Sequence, residues 1–318
     1  MESTQHPERA PLPKKVPLFP AYLQEGDKVA IVSPSGKIDK SFLKGACQRL
    51  ISWGLDPIPG KYAGHAHGLY AGTSRQRHRD LQKAMDDTEI RAILCSRGGY
   101  GVVHILDRID FTRFREHPKW LMGFSDITAL HNLYQQQGFA SLHAPMARHL
   151  TVEAADDPAA LYLKQILFGE LPEYTCPAHR FNHTGLCGGI LRGGNLAVFY
   201  GLRGTPMDIP PEGTILFVED IGERPHAIER MFYNLKLGGV LDRLSGLIIG
   251  QFTDYEEDKS LGKVLYGALA DLLKGYDYPI CFDFPVGHVT RNYPLINGAR
   301  VQLEVGKKKT ELLFLPTS

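Results

Sequence analysis

IRAILCSRGGYG, residues 90–101, joins a short apolar run to a glycine-rich turn. Ile90 to Cys95 reads as a strand, and Arg97-Gly98-Gly99-Tyr100-Gly101 as the turn at its carboxyl end. The same grammar continues on both sides. Upstream, Asp27 to Ser33 (DKVAIVS) is a β-branched run that ends in Pro34-Ser35-Gly36. Lys40 to Trp53 carries Phe42, Leu43, Ala46, Leu50 and Ile51 at helical spacing, and Gly54 stops it. Thr73 to Asp86 is a second helix with Thr73 or Ser74 as its cap, and Arg75, Arg77 and Arg79 are expected on its polar face. Downstream, Val102 to Leu106 is helical, Trp120 to Phe124 is a strand, and Ile127 to Gln137 is a helix closed by Gly138. Strands that alternate with helices at this pitch imply a parallel sheet with βαβ crossovers.

The pattern pauses between about Glu153 and Gly189, a polar connecting region with one helix inside it, and then resumes. Asn195 to Leu202 is a short helix and Thr214 to Val218 an apolar strand. Pro225 to Leu237 is a helix with proline in its first turn and Gly238-Gly239 past its end. Leu244 to Ile249 is a strand and Leu261 to Leu273 a helix. Val301–Val305 and Glu311–Leu315 alternate around Gly306-Lys307-Lys308-Lys309 and form a terminal hairpin. The expected organisation is an arm over 1–22, an α/β domain over 23–165, a linker over 166–187 and a second domain over 188–318.

Composition excludes several classes. The chain has 318 residues, enough for about two domains with real cores. Lys plus Arg is 36 against 35 for Asp plus Glu, so the basic excess of a nucleic-acid binder is missing. No apolar run approaches the ~18 to 20 residues that span a bilayer, so no membrane partner is expected. Five scattered cysteines, an odd count without a CxxC pair, argue against a disulfide framework and a zinc ribbon. Reduced thiols and an N-terminal stretch lacking a signal-peptide core point to the cytoplasm.

In parallel sheets ligands bind beyond the carboxyl ends of strands, so the residues that follow each strand are the candidates for chemistry. Ser125-Asp126 follows one strand, Glu219-Asp220 another, and Pro285-Val286-Gly287-His288 a third segment. A hydroxyl, a carboxylate and an imidazole at such positions are the ingredients of a Ser-His-acid triad. Each has a plainer explanation. Ser125 suits a nucleophile elbow, but the match to G-x-S-x-G is partial, because Ile127 stands where the second glycine belongs; the motif alone favours a helix cap. Glu219, Asp220 or Glu223 suits the start of the following helix, and His288 suits an exposed loop. Gly98-Gly99 lets backbone approach a ligand closely, with amides suited to an oxyanion alongside that of Asp126. Cys95 reads as a small buried hydrophobe, His65-Ala66-His67 as a solvated loop, Asp254 to Asp258 as a solvated acidic loop, and Phe199 and Tyr200 as core.

Together these segments resemble the LD-carboxypeptidases, the serine peptidase family that includes murein tetrapeptide carboxypeptidase and the microcin C self-immunity peptidase. The matching stretches are VAIVSPSG (29–36), AGTSRQRHRDLQKAMDD (71–87), RGGYG (97–101), GFSDIT (123–128), GGNL (193–196), VEDIGE (218–223), residues 238–250, and PVGH ending at His288, with Asn292 shortly after. They occur in family order and cover nearly the whole chain from about residue 25.

The resemblance implies a flavodoxin-like or glutamine-amidotransferase-like parallel-sheet domain followed by a β-rich α/β domain. It implies Ser125 as nucleophile, Glu219 as acid (Asp220 as fallback) and His288 as base. The oxyanion donors would be amides at Gly98 or Gly99 and at Asp126. It further implies a peptide substrate with a free C-terminal D-residue, typically D-alanine on the L-centre of a murein tetrapeptide, with no metal and no cofactor, and a homodimer. Arg97, Asn195, Arg291 and Asn292 stand in or beside the motifs as candidates for holding the substrate and its carboxylate. The alternatives are an immunity-type peptidase acting on acyl-nucleotide antibiotics and a catalytically silent sensor of murein peptides. Because Ser125 precedes the expected boundary and Glu219 and His288 follow it, the cleft is expected at the domain interface.

Overall fold

In the computed structural model, residues 17–258 and 262–316 are described. The first half builds the expected alternation. It runs β1 (Lys28–Val32), α1 (Lys40–Ser52), β2 (Asp56–Pro59), α2 (Ser74–Asp86), β3 (Ile90–Cys95), β4 (Trp120–Gly123), α3 (Thr128–Gln136), β5 (Ser141–His143), α4 (Ala147–Val152) and α5 (Pro158–Leu167). The strands β5-β4-β3-β1-β2 are parallel neighbours in that order. The helices start where the side chains dictate. Asp39 accepts from the Ser41 amide ahead of α1, and Thr73 and Gln76 form a reciprocal capping box at α2. The helical character expected over Val102 to Leu106 takes the form of two short 3-10 turns, Val102–His104 and Leu106–Arg108.

The second half forms a separate sheet from all its strands but one, Leu295–Asn297. It contains β6 (Glu173–Pro177), β7 (Gly185–Asn195), α6 (Leu196–Gly201), β8 (Thr214–Ile221), α7 (Pro225–Leu237), β9 (Gly246–Thr253), α8 (Leu265–Leu273), β10 (Ile280–Cys281), β11 (Leu295–Asn297), β12 (Arg300–Val305) and β13 (Lys309–Phe314). The strands β10-β9-β8-β7 are parallel, and β7-β12-β13-β6 continue the sheet antiparallel. The two-domain α/β architecture is thus as expected, with the second domain the richer in β. The helix expected from Leu261 begins at Leu265, and residue 261 itself lies outside the described residues.

Three boundaries differ from expectation. The arm's first 16 residues lie outside the described residues, but 17–22 pack on the first sheet. Leu18 pairs with Gly138 and Ala140 through backbone hydrogen bonds, Phe19 stands edge-on to Trp120, and the Trp120 indole donates to the Ala21 carbonyl. The expected linker holds β6 and the start of β7. Its Tyr174 and Cys176 face inward, while Pro177 suits an edge strand. Finally, β11 leaves its own half and pairs antiparallel with β5, completing the first sheet. One apolar cluster is therefore shared, running from Ile31 and Trp120 to Phe217 and Ile248.

Candidate active site

Ser125 follows β4 with only Phe124 between them, and its backbone has φ +64°, the left-handed region that a non-glycine residue enters at a cost of about 1–3 kcal/mol. Its hydroxyl caps neither the 3-10 turn that it opens nor α3, so the helix-cap explanation fails. The strained strand-to-helix turn is that of a nucleophile elbow. Next to it, Asp126 is buried, and its carboxylate accepts from the Ser35 hydroxyl and from the Val102 amide at 3.0 Å. The side chain thereby ties the loops after β1 and β3 to the Ser125 turn. A β-carbon on Gly98 would stand 2.9 Å from Ser125 Oγ and 2.7 Å from its Cβ, so only glycine fits there. Among the described residues no protein acceptor takes the amides of Gly98 or Gly99.

Glu219 lies inside β8, which runs three residues further than expected. The register against β9 shifts between Val218 and Asp220, and such bulges re-aim side chains. Both carboxylates are buried, and they serve different ends. Glu219 Oε2 meets His288 Nδ1 at 2.8 Å. Asp220 accepts from Asn195 Nδ2 and from the Ala197 amide, each at 2.8 Å, and so serves the start of α6, not the helix that follows it. Burial, then the neighbouring Glu219 charge, pushes the Asp220 carboxyl up to about 6.

His288 is held from both sheets. Gln251 donates to the Val286 carbonyl at 2.9 Å, which seats the PVGH loop on the end of β9. Asn292 accepts from the Gly287 amide at 3.0 Å, and β11 then anchors the chain beside β5. The ring packs 4.8 Å from Phe124 and is only 16% exposed, so it is no solvated loop histidine. Burial lowers its pKa, but the hydrogen bond and charge of Glu219, with Asp220 and Asp254, outweigh burial and leave the imidazole above its ordinary value.

Ser125 and His288 line one cleft of about 630 Å³ at the junction of the two sheets, with Arg97, Gly98, Gly99, Phe124, Arg148 and Asn292 among its walls. Among the described residues no hydrogen bond yet joins Ser125 Oγ to the ring; such contacts commonly tighten only around substrate. With Nδ1 engaged by Glu219, Nε2 is the nitrogen left to exchange a proton.

The remaining sequence candidates separate. Arg97 lines the cleft, with Nη1 donating to the Lys37 carbonyl. Asn292 also lines it. Arg291 is exposed and lies outside the cleft wall. Asn195 does not reach the cleft: it is buried, caps α6 through the Val198 amide, donates to Asp220, and its own amide donates to Thr128 Oγ1 at 2.9 Å. Arg77 leaves the expected polar face, because its guanidinium is buried and donates to the Pro34 and Gly101 carbonyls. Cys95 is buried, as read. Ser96 pairs with Ser33, Phe199 is core, and Tyr200 is exposed instead. The sequence pattern does not reveal α4, whose Arg148 and His149 line the same cleft as Ser125. His149 Nε2 is held 2.7 Å from Asp157.

Residues 29–144 match the LD-carboxypeptidase N-terminal domain, and residues 188–303 match the C-terminal domain. The chain belongs to the LD-carboxypeptidase family. It is similar to a probable murein peptide carboxypeptidase of Bacillus subtilis, 34% identical over 91% of this chain and 92% of the relative. The fold matches a crystal structure of muramoyltetrapeptide carboxypeptidase from Oxalobacter formigenes, with TM-score 0.80, 26% identity, and coverage of 91% of this chain and 100% of that one. It also matches the microcin C7 self-immunity protein MccF in complex with aspartyl sulfamoyl adenosine (TM-score 0.84, 23% identity, 95% and 100% coverage), a likeness of fold alone. Membership in the LD-carboxypeptidases makes the chain a peptidase of the serine type. Among the described residues no helix is long and apolar enough to cross a membrane.

Proposed function

We propose that this LD-carboxypeptidase removes the C-terminal D-alanine of a murein tetrapeptide, in the cytoplasm and as a homodimer, within cell-wall recycling. The observation that carries the reading is the cleft: a strained serine, a glutamate-held histidine and uncommitted glycine amides converge in it. In this reading Ser125 Oγ attacks the carbonyl of the L-centre while His288 Nε2 takes the hydroxyl proton. The carbonyl oxygen gains negative charge against the amides of Gly98 or Gly99 and of Asp126. Glu219 holds the ring orientation and stabilises the imidazolium. The C–N bond then breaks, and the imidazolium returns its proton to the departing D-alanine amine. Water, deprotonated by His288, attacks the acyl-enzyme carbonyl, the C–Oγ bond breaks, and the imidazolium returns the proton to Ser125 Oγ as the shortened peptide leaves with a new carboxylate.

The test is release of alanine from tetrapeptides that end in D-alanine or in L-alanine, measured side by side. Release from the D-form alone, abolished by Ser125→Ala, supports the proposal, whereas equal release from both overturns the LD specificity. The fold likeness to MccF motivates a parallel arm with an aminoacyl sulfamoyl adenosine. Preference for that compound would select the immunity-type reading, and binding of tetrapeptide without turnover would select a silent sensor. Size-exclusion chromatography with light scattering tests the dimer.

A further inference from the structure

A carboxypeptidase must recognise a free carboxylate beside the scissile bond, and the cleft walls limit what can do so. Four potentially cationic side chains line the cleft: Arg97, Arg148, His149 and His288. Three of them are already engaged. His288 is bonded to Glu219 and His149 to Asp157. Arg97 commits one of its donors, Nη1, to the Lys37 carbonyl at 2.8 Å. Arg148 is exposed to the cleft, and among the described residues it has no hydrogen-bond or ion-pair partner. Glu153 shares its wall without pairing with it. An arginine is charged at every accessible pH and presents a planar fork that matches a carboxylate in two parallel hydrogen bonds. The placement also fits the chemistry. α4 begins just past β5, the strand beside β4, so Arg148 and Ser125 follow the carboxyl ends of neighbouring strands and line the same cleft.

We infer that Arg148 is the specificity residue that binds the terminal carboxylate of the peptide. This rests on the carboxypeptidase reading above and replaces Asn195 and Arg291 as candidates. The experiment measures kcat/KM on the tetrapeptide ending in D-alanine and on the same peptide ending in D-alaninamide, for the unaltered protein, Arg148→Gln, Arg148→Lys and Arg97→Gln. Calorimetric binding of both peptides to the Ser125→Ala protein runs alongside. A charge-assisted hydrogen bond removed from a substrate carboxylate costs about 10- to 100-fold. The expected result is preference for the acid in the unaltered protein, loss of about that factor on the acid alone in Arg148→Gln, partial return in Arg148→Lys, and preference retained in Arg97→Gln.

Acid preference that survives Arg148→Gln, or that vanishes in Arg97→Gln instead, overturns the inference. Equal loss on acid and amide also overturns it, because Arg148 would then meet an internal carboxylate. Absence of preference in the unaltered, active protein overturns it while leaving the parent reading intact. If the unaltered protein releases nothing and the Ser125→Ala protein binds neither peptide, the parent reading itself fails. As an exposed side chain, Arg148 is replaceable without loss of fold, and an unchanged melting temperature verifies that.

Discussion

The two walls of the cleft reach their geometry by opposite routes. On the wall of the proposed nucleophile the backbone turn is local, although the loops after β1 and β3 brace it: one contiguous motif, GFSDIT, ends β4 and holds Ser125 at φ +64°. On the acid-base wall nothing is local. Glu219 depends on a bulge between β8 and β9, and His288 on a loop seated on β9 at one end and on β5 through β11 at the other. The first wall stores strain in a single residue, and the second distributes its positioning over both sheets. The nucleophile should therefore be separable from stability, and the base should be tunable through charges at some distance along the chain.

Two changes at Ser125 break the comparison most sharply. Ser125→Ala and Ser125→Gly should each lower kcat by about 10⁶-fold, the loss typical of a missing serine nucleophile. Their stabilities should differ. Alanine keeps the left-handed penalty, whereas glycine occupies that region freely and should raise unfolding stability by about 1 kcal/mol. Urea denaturation of the two proteins checks this. If glycine gains nothing over alanine, the strain does not reside at this residue.

On the other wall, Glu219→Gln should cost about 10⁴-fold in kcat, because the ring loses the carboxylate that orients it and stabilises its charge. It should also move the pH profile. The base must be neutral, so kcat/KM rises as pH climbs through the imidazole pKa of the free enzyme. The carboxylate holds that pKa above the ordinary value of ~6.5. Its removal leaves burial dominant, so the acid limb should shift to lower pH. A limb that stays in place would deny Glu219 this role. Smaller again, Gly98→Ala should cost about 10²- to 10³-fold, as for a lost oxyanion donor, since the new methyl displaces Ser125. Substrate hydrolysis by a variant with an unchanged melting temperature measures it.

Legibility in the sequence followed the same division. Contiguous elements could be read: β1, α1, α2, β3, β4, α7 and the terminal hairpin carry their own periodicity and caps. Ser125 was legible as a residue, but its role was not, because a cap and an elbow share a sequence and differ in φ. Strands set by tertiary pairing were silent. β5 and β11 have three residues each, too few for a period. Missing β5 hid Arg148, which the strand-end rule would otherwise have nominated. Asn195 sits in a family motif, yet its side chain is consumed by Asp220 and α6. Arg77 looked like one of a polar row, and only the approach of the Pro34 and Gly101 carbonyls explains its burial.

The subtlest test concerns the strut between the two walls. Thr128, three residues after the nucleophile and fully buried, accepts from the Asn195 amide, and Asn195 in turn donates to Asp220 beside Glu219. This chain of hydrogen bonds crosses from the helix that follows the Ser125 turn to the strand that carries Glu219. Thr128→Val keeps the shape but leaves the Asn195 amide unpaired, at a cost of about 1–3 kcal/mol in stability. If the strut registers the two walls, kcat should also fall, by about 10-fold, through a misplaced attack geometry. The acid limb should keep its midpoint, because the pair of His288 and Glu219 lies wholly on the other side. Thr128→Ser, which keeps the acceptor, should restore both stability and rate. A fall in kcat accompanied by a shifted acid limb would mean that the change reached the imidazole. The walls would then be coupled, and the separation between a locally strained nucleophile and a remotely held base would not hold.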